Sequence, residues 1–225
     1  GKLSASVVHE INNPIAGILN LLKLIQRIMD EGSVGEKETE QFKQYIHLMD
    51  TETRRISRIV SNLLAFSRQS KVTVGHVNLN RIIEKTLFLN ANLLKINNIK
   101  VKKTLDPDLP DVMGSEDQFQ QVLMNIISNA AEAMEGPGGA LKISTRHSLS
   151  NNSVVVKVQD SGVGISSENQ KKLFEPFFTT KKKGKGVGLG LSVVYGIIEA
   201  YGGAIQVDSE VGEGTTFSVE IPLNQ

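Results

Sequence analysis

The chain has 225 residues, room for one or two domains, and its 40% hydrophobic content is ordinary for a folded, soluble chain. A formal net charge of +1 gives no global pull toward nucleic acid or an anionic membrane, and the lack of cysteine excludes a disulfide framework and thiolate chemistry. No apolar run approaches the roughly 18 residues that a membrane helix needs, and no signal peptide opens the chain, so a reducing, cytoplasmic setting is expected.

Residues 2–69 read as two long helices. Leu3, Val7, Ile11, Ile15, Ile18, Leu22, Ile25 and Met29 recur every three or four positions, and Phe42, Ile46, Met49, Thr53, Ile56, Val60 and Leu63 alternate like a coiled-coil seam. Asp30 to Glu36 between them has turn composition. A lone antiparallel hairpin buries two such stripes poorly. Pairing two hairpins into a four-helix bundle buries both, so a homodimer is expected. The alternative is a hairpin packed on its own second domain.

Inside the first helix, His9 stands beside Glu10, with Asn13 one turn on and on the same face. An unperturbed pKa of about 6.5 leaves most of an imidazole neutral, and nucleophilic, near pH 7. Pro14 has no N–H for the Glu10 carbonyl and is expected to kink the helix. The run Val7-Val8-His9-Glu10-Ile11-Asn12-Asn13-Pro14 resembles the H box of sensor histidine kinases. A surface histidine is the plainer reading unless a phosphoryl donor site follows.

The helical repeat stops in a short mixed linker, placed at 71–76 between a hairpin over 1–70 and a second domain over 77–225. The pattern there is mixed α/β: a helix over 79–94 capped by Asn78 or Asn80, and a strand over 99–105 broken by Asp106-Pro107-Asp108-Leu109-Pro110. A long helix follows over 115–134, capped by Ser115, then strands at 141–146 and 154–159. A glycine-rich region leads to a helix near 189–201 and to strands at 204–209 and 215–221. Without strict βαβ alternation, an α/β sandwich with helices on one face fits best.

This second domain carries the motifs a nucleotide site needs. Asn125 and Asn129 stand at i and i+4 on one helix face, and an amide carbonyl is a hard oxygen ligand suited to Mg²⁺. Asp160-Ser161-Gly162-Val163-Gly164 ends a strand with an acid able to accept from an exocyclic amine, and its glycines let backbone approach a flat ring. Gly184 to Ser192 runs straight into a helix, offering N–H groups and a positive dipole end to phosphate. Gly212-Glu213-Gly214-Thr215 brings backbone and a hydroxyl. In this order the runs resemble the N, G1, G2 and G3 boxes of the histidine-kinase and gyrase-type ATP-binding fold. Phe174-Glu175-Pro176-Phe177-Phe178-Thr179-Thr180-Lys181 matches the F box between the second and third of them.

The resemblance covers nearly the whole chain. It implies ATP and Mg²⁺ as cofactors, with Asp160 reading the adenine amine, Asn129 holding Mg²⁺ and Asn125 beside the phosphates. Gly162, Gly164, Lys181, Lys185, Gly186, Gly188, Gly190 and Thr215 complete the nucleotide site, and 166–187 would form a lid. His9 would accept the phosphoryl group, Glu10 would orient its imidazole, and Asn13 would hold a water for dephosphorylating the partner regulator. The implied partner is a response-regulator receiver domain, with neither nucleic acid nor membrane contacted.

Two positions depart from the pattern: Glu132 where many relatives have lysine, and Val187 where threonine is common. Gyrase-type hydrolases carry a water-activating glutamate at the Asn125 position, and asparagine cannot take a proton in that way. A gyrase- or chaperone-type ATPase and a non-catalytic dimeric scaffold remain the alternatives. Gly1 lies eight residues before His9, so a longer protein with a sensor or membrane span ahead of this segment is expected.

Overall fold

The computed structural model describes residues 2–32, 35–67, 73–181 and 188–223. They divide into two compact units, one holding the two long helices and the other a sheet with its helices.

In the first unit, α1 spans Lys2–Asp30 and α2 spans Glu36–Ser67. Gly32, at φ +82°, closes α1, its N–H bonding the Met29 carbonyl. The Gly35 N–H bonds the Glu38 carboxylate 2.9 Å away, and Glu36 and Glu38 place acids on the first turn of α2, where the helix dipole favours them. The expected kink at Pro14 does not interrupt α1. The proline removes one intrahelical bond, and its ring is buried against α2, where Leu48 and Glu52 line the same groove.

The apolar repeat of the hairpin resolves into two stripes. Ile18, Leu21, Ile25 and Ile28 of α1 and Phe42, Tyr45, Met49 and Ile56 of α2 are half-buried between the helices. Ile15, Leu19, Leu22 and Met29, with Ile46 and Val60, stay exposed.

The second unit opens with β1 (Gly75–Val77), followed by α3 (Leu79–Leu89), α4 (Ala91–Ile96), β2 (Ile99–Thr104), β3 (Val112–Gly114) and α5 (Glu116–Ala133). The chain continues through β4 (Gly139–Ser148), β5 (Ser153–Asp160), α6 (Ser167–Gln170), α7 (Gly190–Ala200), β6 (Ala204–Glu210) and β7 (Gly214–Pro222). The main sheet runs β2-β4-β5-β7-β6, with only the β2–β4 pair parallel. Leu141, Ile143, Val156, Val158, Phe217 and Val219 point from the sheet into a core closed by Phe119, Val122, Ile126 and Ile127 of α5 and Val194 and Ile198 of α7. Each such side chain contributes about 1.5–3 kcal/mol on burial.

Three local expectations change. The helix expected over 79–94 breaks at Asn90, whose buried amide bonds the Thr86 carbonyl and the Met124 sulfur. Asn78 is the cap that forms, accepting from the Arg81 N–H. Ser115 does not cap α5 with its side chain; its own N–H bonds the Tyr201 hydroxyl instead. Gly75 and His76, read as linker, pair in β1 with β3 as a small separate sheet.

Candidate functional site

The site is built across the ends of three neighbouring strands. Asp160, the last residue of β5, lies opposite Thr215 of β7, which lies opposite Ser209 of β6. Residues directly opposite share a face, so the three side chains form one row on the helix side of the sheet. Asp160 is 4% exposed, which makes it a buried carboxylate in need of donors. Its Oδ1 accepts the Gly162 N–H at 2.8 Å. Burial pushes the carboxyl above the ordinary aspartate value, while the backbone N–H groups of Gly162 and Thr215 pull it back.

Around this row Gly162 and Gly164 make close backbone approaches within the chain. A Cβ on Gly162 would lie 2.7 Å from the Ala133 carbonyl oxygen at the end of α5, and the next residue, Val163, donates its N–H to that carbonyl. Gly164 adopts φ +68° and lies so close to the Glu210 backbone that a side chain would overlap it. Thr215 is buried, with its hydroxyl 2.9 Å from that of Ser209. Sequence reasoning missed Ser209 and Gln170. Ser209 accepts the Ile165 N–H at 2.8 Å, and Gln170 donates to the carbonyls of Ile165 and Ser209, also at 2.8 Å. A signal for Ser209 existed: it follows Ile205 and Val207 in strand alternation, where a third apolar residue would continue the face.

α5 brings Asn125 and Asn129 to the same end, both half-buried one turn apart, with Glu132 exposed beyond them. The first residue of α7, Gly190, lies against Asn125: a Cβ there would stand 3.3 Å from its Oδ1. The glycine run therefore delivers a helix N-terminus to the asparagine face. Just before it, Gly188 at φ +70° presents its carbonyl to the Phe177 N–H at 2.8 Å, tying the F box to the start of α7. Lys181 is exposed at the end of the preceding segment. Lys185 and Gly186, with Lys182, Lys183 and Val187, lie outside the described residues. The backbone of His9 and Glu10 lies in α1, but their side chains also lie outside the described part. Asn13 is exposed one turn on.

A strand-end carboxylate, paired asparagines and a glycine-led helix N-terminus thus gather at one end of the second unit. Residues 114–225 match the family model described as "Histidine kinase-, DNA gyrase B-, and HSP90-like ATPase", and residues 1–71 match "His Kinase A (phospho-acceptor) domain". The catalytic domain of histidine kinase ThkA is 34% identical, with a TM-score of 0.60 over 67% of this chain and 95% of that one. The chain belongs to the sensor histidine kinases. It corresponds to their catalytic core, a helical phospho-acceptor segment followed by a nucleotide-binding ATPase-type domain.

Among other relatives of this kinase core, sensor histidine kinase ZraS of Escherichia coli strain K12 is 36% identical over 224 residues. That match covers all of this chain but 46% of the relative, so the chain spans about half the length of that curated kinase. The structure of ThkA in complex with the response regulator protein TrrA matches with 31% identity and a TM-score of 0.75, over 100% of this chain and 62% of that one. No described helix is long and apolar enough to cross a membrane.

Proposed function

We propose that the chain transfers the γ-phosphoryl group of ATP to His9, and from there to an aspartate of a response-regulator receiver domain. One observation carries this reading: a phospho-acceptor segment and an ATPase-type fold occur together on one chain. The complex of the relative ThkA with a response regulator supports the choice of partner. The reading assigns 1–70 to phosphotransfer, 71–76 to a linker and 77–225 to ATP binding.

In the step itself a neutral ring nitrogen of His9 attacks the γ-phosphorus, the bond to the β,γ-bridging oxygen breaks, and ADP leaves. Glu10 accepts the N–H of the other ring nitrogen and so selects the tautomer with a free lone pair. Asp160 accepts from the adenine amine. The backbone at Gly162, Gly164, Gly186, Gly188 and Gly190 shapes the pocket for base and phosphates, with Lys181 and Lys185 for phosphate charge. Asn125, lacking a basic group, does not activate water, which favours transfer over hydrolysis.

Asn129 fits a Mg²⁺ held mainly by water and phosphate. It offers a half-buried amide beside the pocket, and among the described residues no three His, Asp or Glu side chains gather into a protein-only cage. The ion, when bound, would offset phosphate charge.

The regulator is assigned to the α1–α2 groove of about 380 Å³ lined by Asn13, Pro14, Leu21, Leu48 and Glu52. There Asn13 would hold the water that hydrolyses the regulator's acyl phosphate, since its amide both donates and accepts. Asn13→Ala should then slow decay of isolated phosphorylated regulator by about 10- to 100-fold while His9 still takes label. Equal decay with both proteins would remove Asn13 from that role.

The transfer is tested with γ-labelled ATP. The wild-type chain should acquire acid-labile label, and His9→Gln should acquire none while still binding ATP. Near wild-type labelling of His9→Gln would overturn the assignment.

A further inference from the structure

The row Asp160–Thr215–Ser209 holds more information than the positions of its atoms, because its hydroxyl protons can be assigned. The Ser209 hydroxyl oxygen has three partners: the Ile165 N–H at 2.8 Å, the Gly214 carbonyl at 2.8 Å and the Thr215 hydroxyl at 2.9 Å. A serine has one proton to give and can accept twice. The Ile165 amide only donates and the Gly214 carbonyl only accepts. All three contacts are hydrogen bonds in just one arrangement, in which Ser209 gives its proton to Gly214 and Thr215 gives its own to Ser209. Thr215 then has only lone pairs left. Its neighbour across the strand pair on the same face is the Asp160 carboxylate, another acceptor.

We propose that Ser209 is a positioning residue for base selectivity: by engaging the Thr215 hydroxyl proton, it makes Thr215 an acceptor beside Asp160. This rests on the ATP-site reading above and adds to it the means of telling one purine from another. Adenine carries an exocyclic amine, a donor of two protons. Guanine and hypoxanthine carry a carbonyl oxygen at the same ring position, which two acceptors repel and leave unpaired. Ser209 is tied into the sheet by Gln170, whose amide holds both the Ser209 and Ile165 carbonyls. Without the Ser209 hydroxyl, that of Thr215 is free to turn and donate, and a carbonyl base gains a partner.

The experiment measures affinities of the full chain for ATP, GTP and inosine triphosphate by competition. Wild type should prefer ATP, and Ser209→Ala should narrow the ATP-to-inosine ratio about tenfold, the scale of one neutral hydrogen bond. Ser209→Thr retains a hydroxyl and should restore the ratio. In a Thr215→Val background, where no hydroxyl remains to orient, Ser209→Ala should change the ratio no further. A general loosening of the fold lowers all three affinities together and leaves their ratio alone. Should Ser209→Ala fail to fold, Ser209→Cys, with its weak S–H donor, serves with the same expected direction. An unchanged ratio, a wild type that binds all three alike, or an equal change in the Thr215→Val background would each overturn the proposal. A wild type that binds no nucleotide would instead overturn the ATP-site reading beneath it.

Discussion

At Asp160 the fold buries a carboxylate with two backbone donors against it, and burial still outweighs them in setting its proton affinity. The sign of the linkage follows. Below the ordinary aspartate value the group is protonated both folded and unfolded, and costs nothing. As pH rises through the higher folded-state value, the unfolded chain ionises more readily, and stability falls until both are charged. Asp160→Asn keeps an oxygen for the Gly162 N–H and removes that charge. Its unfolding midpoint near neutral pH should match or exceed wild type, with the difference vanishing in acid, while ATP affinity drops about 10- to 100-fold. Thermal melts at two pH values and a binding titration check both halves; a lower midpoint at neutral pH would refute the burial argument. The placement of Asp160, Asn125 and Asn129 at one end of the second unit was legible because each sits inside a short motif. Ser209 was not, because its meaning lies in partners 44 residues back and six residues ahead.

At the scale of elements, the long helices and the strands of the main sheet were legible because periodicity reports which face is buried. The strand expected over 154–159 forms as Ser153–Asp160, and that over 215–221 as Gly214–Pro222. Short elements escaped. β1 and β3 have three residues each, too few to establish an alternation, and exist only because they pair across the 34 residues that separate them in the chain. The break at Asn90 escaped for another reason: asparagine is merely a mediocre helix residue in sequence, and its partner here is Met124 on a different helix. The single stripe read on α1 is two stripes, since Leu21 and Ile28 face the hairpin partner while Ile15, Leu19 and Leu22 turn away.

For the whole molecule, the outward stripe calls for a second copy. Leu19 and Leu22 are 51% and 43% exposed, on the side of α1 that α2 leaves open. Pairing of two hairpins would bury them at about 1.5–3 kcal/mol each, so Leu19→Glu with Leu22→Glu should halve the solution mass while leaving each helix intact. Sedimentation equilibrium and circular dichroism decide it. A wild-type monomer, or a variant still dimeric, would mean that the stripe serves another partner. The strand order has a consequence for biosynthesis. β7 lies between β5 and β6 although it follows both in the chain. As the polypeptide leaves the ribosome, β5 therefore waits with one edge bare, its Val154, Val156 and Val158 ready to pair with a neighbouring nascent chain. Only when β7 slides into that slot is the edge sealed, and the same movement brings Thr215 beside Asp160. Protection from aggregation and completion of the Asp160–Thr215 row thus arrive in one event.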